Sequence, residues 1–367
     1  MILTNYWWLV LWPILVGPVL TLILPKITVT VSGITLDRWH WAAVLILVLP
    51  YIFWCMNRSE FADTEVYRSI FWEVPVQISD FTDYLSGHAK DRGFFILIWL
   101  LKHWIGNNDQ AFFLIIAAFQ MFCIAFFFRQ YAKDFWLCFF MFAASTDYLS
   151  WMFNGMRQFI AVSLILISFR CLLNCRYFLT VLLILLAASI HGSALLMLPI
   201  ILIIQGRAWN KKTVLLLAAV GMMILFVDEL TAVMDGLLSD TQYHDIVSND
   251  IWQQDDGTNL LRVLFYSVPA LFSLIGKSYI EEAHSPLLNL CVNCSICTAA
   301  IYLFSAFSSG IYIGRIPILT TLQGYIIVPW LIDRMFTRTS AWLVRIIFIG
   351  SYLIFFYYQM HIAWQLI

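Results

Sequence analysis

Long apolar runs separated by short polar connections dominate the 367-residue chain. About 20 apolar residues cross a bilayer as a helix, in which every backbone group is satisfied internally. Spanning helices are predicted near 6–24, 39–56, 111–128, 134–150, 157–173, 213–229, 260–276, 287–305, 316–333 and 342–360. We therefore expect an all-α polytopic membrane protein with about 11–13 transmembrane or re-entrant helices. No linker or internal repeat interrupts the pattern, which favours a single integral membrane domain over residues 1–367.

Two apolar stretches depart from this pattern. Residues 94–106 are short and carry Lys102 and His103, which suits a re-entrant or interfacial helix. Residues 177–205 are too long for one span, and His191-Gly192-Ser193 interrupts them. They are predicted to form two short helices with a tight turn between them.

The composition supports the bilayer assignment. Hydrophobic residues make up 62% of the chain and charged residues 12%, whereas soluble domains carry about a quarter charged residues. The net charge is −1 and no long basic run occurs, so no nucleic-acid partner is indicated.

Lysine and arginine in the loops predict the orientation. With the N-terminus outside, the cytoplasmic loops lie near 25–38, 129–134, 170–176, 206–212, 277–286 and 334–341. These loops hold 12 of the 21 Lys and Arg residues, and 5 of the 22 acidic residues lie in or beside them. The other 17 acids fall on the outer side, mostly in two long loops, 57–93 and 230–260.

Strongly hydrated side chains at membrane depth are costly and usually line a cavity or have a partner. From Arg157 the chain runs down about 16 residues, turns, and climbs about 14 residues to His191, legs of roughly 24 and 21 Å. Both side chains are thus predicted at the same outer edge, as a base beside an anion clamp. The alternative for His191 is a polar residue that satisfies a helix break.

Arg315 lies where an outer loop re-enters the membrane. One alternative is that its side chain snorkels to the lipid headgroups. The other is that it acts together with Arg157, because two arginines with forked donors and a fixed charge suit a pyrophosphate.

Other patterns give weak signals for metals and cofactors. Asp63-Thr64-Glu65 resembles the acidic pair of metal-dependent glycosyltransferases, but an acidic solvent loop yields such pairs freely, as at Asp255-Asp256. Cys291, Cys294 and Cys297 are spaced three apart, and their apolar surroundings favour packing on one helix face over metal binding. No phosphate-binding glycine loop occurs. None of these patterns by itself predicts a metal ion or a cofactor.

Several of these residues share motifs with a known family. The segments are Asn154 to Ala161 (Asn-Gly-Met-Arg-Gln-Phe-Ile-Ala), His191 to Pro199 (His-Gly-Ser-Ala-Leu-Leu-Met-Leu-Pro) and Lys90 to Phe94 (Lys-Asp-Arg-Gly-Phe). The chain resembles the EpsG-type polysaccharide polymerases, within the Wzy class of O-antigen and capsule repeat-unit polymerases. The matching family features are an Asn-x-x-Arg-Gln helix start, a His-x-Ser-Ala segment and an acidic-x-Gly-Phe start of the next membrane helix.

Two further matches are looser. Asp63 and Tyr67 are similar to the family's Asp-x-x-x-Tyr element, although Thr64 stands where Tyr or Phe is common. Arg315 falls where the family tends to carry an arginine before a late membrane helix.

The resemblance implies a metal-independent glycosyltransferase of the GT-C kind, at the periplasmic face of a bacterial inner membrane. It would move a growing glycan from undecaprenyl pyrophosphate onto the non-reducing sugar of a new undecaprenyl-pyrophosphate-linked repeat unit. A chain-length regulator and a flippase are the implied protein partners. The resemblance implies that His191 is the base, with Asp63 as the substitute. It implies that Arg157 and Arg315 clamp the pyrophosphate. Substrate binding is implied for Asn154, Gln158, Tyr67 and Asp91.

Two other functions fit a chain of this kind. A flippase or transporter of lipid-linked oligosaccharide would spread charges down a central cavity, but mid-helix positions here are almost free of charge. A membrane O-acyltransferase that modifies surface polysaccharide would need a cytoplasmic His/Arg cluster, which the sequence does not show around His284.

Overall fold

The computed structural model describes residues 6–58, 60–88, 90–227 and 257–367. Backbone contacts divide the chain into unit 1, Met1–Leu198 with Ile332–Ile367, and unit 2, Pro199–Leu331. The predicted outer loop 230–260 lies mostly outside the described residues, as do Asp255 and Asp256.

Unit 1 begins with two apolar helices joined by a β-hairpin. The elements are α1 (Trp8–Ile23), β1 (Lys26–Val31), β2 (Ile34–Trp39) and α2 (Trp41–Met56). The strands are antiparallel, and Ser32 and Gly33 at the turn both have positive φ, 50° and 82°. Two such residues favour the tight hairpin turn whose twist matches the strands. Residues 25–38 were predicted as a cytoplasmic loop, and the structure adds a β-hairpin within them.

The predicted outer loop 57–93 folds into short helices that precede the next apolar segment. They are α3 (Thr64–Glu73) and α4 (Ile78–Ser86), followed by α5 (Arg92–Ile105). Phe71, Phe81, Phe94 and Ile98 from these helices are buried in one apolar cluster. The cluster therefore fixes α3 and α4 to α5.

The following elements form the helical body of unit 1. They are α6 (Asp109–Tyr131), α7 (Phe135–Ala144), α8 (Asp147–Leu149), a π-helix (Ser150–Asn154), α9 (Met156–Leu173), α10 (Tyr177–Ile190), a 3₁₀ helix (Gly192–Leu196) and the first two residues of α11 (Met197–Ile204), whose remaining residues belong to unit 2. The predicted break in 177–205 is confirmed, because α10 ends at Ile190 and His191 is extended, with φ −151° and ψ 116°.

Unit 2 contains a second group of helices. They are α12 (Lys211–Leu225), α13 (Leu260–Ile275), α14 (Lys277–Ala283), α15 (Pro286–Ser305), a 3₁₀ helix (Ile313–Leu319) and α16 (Thr321–Met335), whose last residues belong to unit 1. Asn293 of α15 is buried and donates to the carbonyl oxygens of Ile204 and Arg207. Cys291, Cys294 and Cys297 are buried and free on the same helix, in keeping with a packing role.

The last helix returns to unit 1 as α17 (Arg338–Tyr357), followed by a π-helix (Tyr358–Ala363). Arg345 of α17 bridges Asp134 and Asp333, the latter at 2.8 Å. This ion pair network links the start of α7, the end of α16 and α17.

The described helices support a multi-pass membrane protein. Four are long and apolar enough to cross a bilayer, and two bent pairs could raise the number to six. Five shorter apolar helices are 10–17 residues long. By length alone this is fewer spans than the sequence predicts, because several predicted spans are shortened or bent.

Candidate functional site

Asp91 occupies the N-cap position of α5, but its side chain does not cap that helix. An N-cap carboxylate ordinarily accepts a hydrogen bond from an N–H in the first turn of its own helix. Here the Asp91 backbone is left-handed, with φ 54°, a conformation that Asp tolerates better than most residues. The carboxylate is therefore free to reach residues far away in the sequence.

The Asp91 carboxylate contacts three residues from two distant segments of the chain, the start of α9 and the break after α10. Its Oδ2 lies 3.4 Å from Nη1 of Arg157 at the start of α9, and 3.4 Å from Nδ1 of His191 after α10. Its Oδ1 accepts a 3.0 Å hydrogen bond from the Gly192 backbone N–H. We call Asp91, Arg157, His191 and Gly192 the Asp91 cluster. The structure thus brings Arg157 and His191 together through a shared carboxylate.

The electrostatics of the Asp91 cluster favour the ionised carboxylate. Burial raises the pKa of Asp91, but the hydrogen bonds and charges of His191, Gly192 and Arg157 outweigh burial and leave the pKa below its ordinary value. Asp91 is therefore an anion at neutral pH. Arg157 and His191 keep 33% and 29% of their side-chain surface exposed, so a ligand can contact both.

Tyr67 of α3 links the cluster to the π-helix before α9. Its hydroxyl accepts a hydrogen bond from the Arg157 backbone N–H at 3.4 Å and donates to the Asn154 carbonyl at 3.5 Å. Burial raises the pKa of the Tyr67 phenol, so it stays protonated and can donate. Gln158, also buried, donates to the Ser193 hydroxyl at 3.4 Å. Asn154, Gln158 and Tyr67 therefore lie around the start of α9, beside Arg157.

The two residues that follow Arg92 in α5 pack closely against the end of α10 and against Arg157. A Cβ added to Gly93 would lie 2.3 Å from Oγ and 2.8 Å from the backbone carbon of Ser189 at the end of α10, so this approach requires glycine. The Phe94 ring lies 5.5 Å from the Arg157 guanidinium carbon, a cation–π distance. The acidic-x-Gly-Phe segment thus contacts His191, Ser189 and Arg157 in turn.

Asp63 and Arg315 are the remaining predicted site residues. Asp63 is the N-cap residue of α3, and its charge acts on Tyr67 one helical turn later. Arg315 lies in unit 2, in the 3₁₀ helix Ile313–Leu319. The predicted joint action of Arg157 and Arg315 therefore remains a prediction.

One buried cation near this region was not singled out in the sequence. Arg58, 5% exposed, follows α2 and lies between the rings of Phe113 and Phe153, with its guanidinium carbon 4.4 and 4.5 Å from their centroids. Its Nε donates to the Cys55 carbonyl at 3.0 Å, as a cation at a helix C-terminus should. The available signal was an arginine two residues after the end of a long apolar run.

The next question is whether side chains in the described part of the chain could bind a metal ion. Among the described residues, no group of three or more His, Cys, Asp or Glu side chains is placed to hold a metal ion. The Asp91 cluster instead combines one carboxylate with two nitrogen-bearing side chains, a set suited to proton transfer and anion binding.

Spanning helices and a polar cluster at their ends define a polytopic membrane protein with a candidate site of an anion-binding type. The model of the EpsG family matches residues 41–365, nearly the whole chain. The chain therefore belongs to the EpsG family, a family of Wzy-type polysaccharide polymerases. No curated protein and no solved structure matches the chain.

Proposed function

We propose that the protein polymerises lipid-linked oligosaccharide repeat units at the outer face of the cytoplasmic membrane. The donor is a glycan on undecaprenyl pyrophosphate, and the acceptor is the non-reducing sugar of a new undecaprenyl-pyrophosphate-linked unit. The observation that carries this proposal is the shared carboxylate of Asp91, which holds a guanidinium and an imidazole 3.4 Å from one oxygen atom. Family membership supplies the polysaccharide context.

The reaction exchanges one C–O bond for another. The acceptor hydroxyl oxygen bonds to the anomeric carbon of the donor glycan, the bond from that carbon to the pyrophosphate oxygen breaks, and the hydroxyl proton passes to a base. Undecaprenyl pyrophosphate leaves with the bonding electrons. The site must therefore accept one proton and stabilise one leaving anion.

His191 is the base in this proposal. Its Nδ1 faces Asp91 at 3.4 Å, so Nδ1–H donates to the carboxylate and the Nε2 lone pair is available for the acceptor proton. The imidazolium that forms is stabilised by the adjacent Asp91 anion. Asp63 is the substitute base should His191 act only in binding.

Arg157 holds the leaving pyrophosphate. One nitrogen of its guanidinium faces Asp91 and the rest of the planar fork can donate to phosphate oxygens. Tyr67 and Phe94 contact the backbone and the guanidinium of Arg157, and so fix its position. Arg315 is proposed as the second cation, and Asn154, Gln158 and Tyr67 as groups that position sugar hydroxyls.

The test is the chain-length ladder made by cells that carry Arg157→Lys or Arg157→Ala. Lysine keeps the charge but loses the forked donors, so both variants should accumulate single-repeat lipid-linked glycan without long chains. Arg170→Lys is the matched control, because Arg170 lies exposed at the other end of α9. A normal ladder in the Arg157 variants at normal protein level would remove Arg157 from the mechanism.

The leaflet that holds the accumulated glycolipid separates polymerase from flippase. A polymerase defect leaves single repeat units on the outer leaflet, where a glycosidase added outside can digest them. A flippase defect would leave them inside and protected. Protection from the external glycosidase would therefore contradict the proposed function.

A further inference from the structure

Two arginines lie side by side where the hairpin meets the C-terminal end of α6. Arg129 in the last turn of α6 donates its Nε–H to the Trp39 carbonyl at 2.8 Å. Its guanidinium carbon lies 4.4 Å from the centroid of the Trp41 ring. Arg38 directly precedes Trp39 at the end of β2, close enough for its charge to act on Arg129. Backbone and ring contacts thus hold the two cations together.

The carboxylates near these arginines form salt bridges with other basic side chains. Asp37 pairs with Lys133 at 2.6 Å, and Asp134 pairs with Arg345. Within residues 6–58, 60–88, 90–227 and 257–367, no carboxylate forms a salt bridge with Arg38 or Arg129. Over those same ranges, the buried Nε of Arg38 has no hydrogen-bond acceptor. Two like charges are therefore held together without a counter-ion from the described protein, which is unfavourable unless a ligand supplies one.

This arginine pair lies at the other end of unit 1 from the Asp91 cluster. The rings of Phe127 and Tyr131, on either side of Arg129 in α6, lie 5.3 and 5.4 Å from that of Phe169 in α9. Phe169 follows Arg157 by about 18 Å along the helix axis. The pair is therefore separate from the candidate site for glycan transfer.

The surroundings of the pair are those of a bilayer surface. Arg129 ends a 23-residue apolar helix that can cross a membrane. Trp41 stacks on Phe122 with ring centroids 5.6 Å apart and an interplanar angle of 5°, and the Phe122 side chain is exposed on the apolar surface of α6. Tryptophan beside basic residues at the end of a spanning helix is typical of the headgroup region.

We propose that Arg38 and Arg129 bind the phosphate of an anionic phospholipid headgroup, with Trp41 against the glycerol and upper acyl region. Guanidinium forks match phosphate oxygens in geometry and charge. A phospholipid also supplies apolar chains for the surface beside Trp41 and Phe122, which a free phosphate ion does not. Arg38 precedes the residues matched by the family model, 41–365, whereas Trp41 and Arg129 lie within them, so the hairpin adds one of the two cations from outside the family match.

The site is tested with purified full-length protein by native mass spectrometry and by thermal unfolding with added lipid. The probes are phosphatidylglycerol, phosphatidylcholine and inorganic phosphate. Phosphatidylglycerol should remain bound and raise the unfolding temperature, and the double variant Arg38→Gln/Arg129→Gln should bind it about tenfold or more weakly. Arg170→Gln, an exposed arginine at the same end of α9, should change this affinity little.

Three results would overturn the proposal. They are equal retention of phosphatidylglycerol by wild type and double variant, equal binding of phosphatidylcholine, and full reproduction of the stabilisation by inorganic phosphate alone. Should the double variant fold poorly, Arg38→Gln provides the same test, because it leaves the Arg129–Trp39 hydrogen bond intact. A single-variant affinity equal to wild type would then count against the site. Glycan transfer is not the readout, so this result is independent of the proposed function.

Discussion

The Asp91 carboxylate lies 3.4 Å from Nδ1 of His191, although 100 residues separate the two in sequence. This contact assigns Nδ1 of the imidazole to Asp91 and leaves Nε2 for another partner, because the partner of one ring nitrogen sets the role of the other. The same Asp91 oxygen lies 3.4 Å from the Arg157 guanidinium. One side chain therefore orients both the proposed base and the proposed anion clamp.

Asp91→Asn should abolish most activity while it preserves the shape of the side chain. The amide cannot stabilise the imidazolium that forms on His191, and its uncertain orientation no longer fixes the ring. General base catalysis contributes roughly 10²- to 10⁴-fold, so kcat should fall by about 10²-fold or more with a smaller change in KM. The measurement is glycan transfer by purified protein with a synthetic lipid-linked repeat unit.

Asp109→Asn is the matched control for that variant. Asp109 also pairs with an arginine, Arg68, at 2.8 Å, but it lies outside the Asp91 cluster. Its kcat should stay close to wild type. Equal losses in the two variants would show that any broken Asp–Arg pair impairs the protein, and Asp91 would have no special role.

The contribution of Asp91 to stability should vanish in acid. Its pKa in the folded protein lies below the ordinary value of 3.8, because hydrogen bonds and charges of His191, Gly192 and Arg157 outweigh burial. A carboxyl with a lowered folded pKa stabilises the protein above its unfolded pKa, and this stabilisation is lost as the pH falls through the folded pKa. Wild type should unfold at a higher temperature than Asp91→Asn, and this difference should be largest above about pH 5 and shrink at lower pH. A gap that stays constant or widens in acid would contradict this.

The sequence predicted the helices and the return of Arg157 and His191 to a common level, because apolar run lengths and the 1.5 Å rise of a helix convert directly to distance. The family resemblance implied that Asp91 binds substrate, but nothing in the sequence predicted that Asp91 bridges Arg157 and His191. The local rule for an Asp at an N-cap position predicts a bond to its own helix. The left-handed backbone at Asp91 and the Gly192 N–H, 101 residues away, override that rule.

The β-hairpin was not predicted, although its strand and turn pattern is present in the sequence. Ile27, Val29 and Val31 alternate with Lys and Thr, and a Ser-Gly pair follows them, which is a strand and turn signal. The basic residues of 25–38 indicate the orientation of the chain but not its local structure. The period-two pattern was therefore available in the sequence.

Gly93→Ala should destabilise the protein. The added Cβ would lie 2.3 Å from Oγ and 2.8 Å from the backbone carbon of Ser189, and a rigid backbone atom cannot move aside cheaply. Overpacking of this kind costs about 1–3 kcal/mol, and it should appear as a lower unfolding temperature. Gly221→Ala is the control, since nothing lies within 4 Å of its added Cβ. A Gly93→Ala protein as stable as wild type would mean that α5 and α10 are not in close contact at this point.

Lys102→Met should loosen the C-terminal end of α3 without removing any contact of the Asp91 cluster. The buried Lys102 ammonium donates to the carbonyl oxygens of Phe71, Trp72 and Val74 at 2.9, 2.8 and 2.6 Å, and so satisfies the C-terminal end of α3. Methionine keeps the length but leaves three carbonyls without this donor, a loss of about 2–4 kcal/mol. Hydrogen exchange in α3 should accelerate, whereas Lys277→Met, which removes an exposed pair at 3.8 Å, should change it little. Unchanged exchange in the Lys102 variant would show that apolar packing alone holds α3 in place.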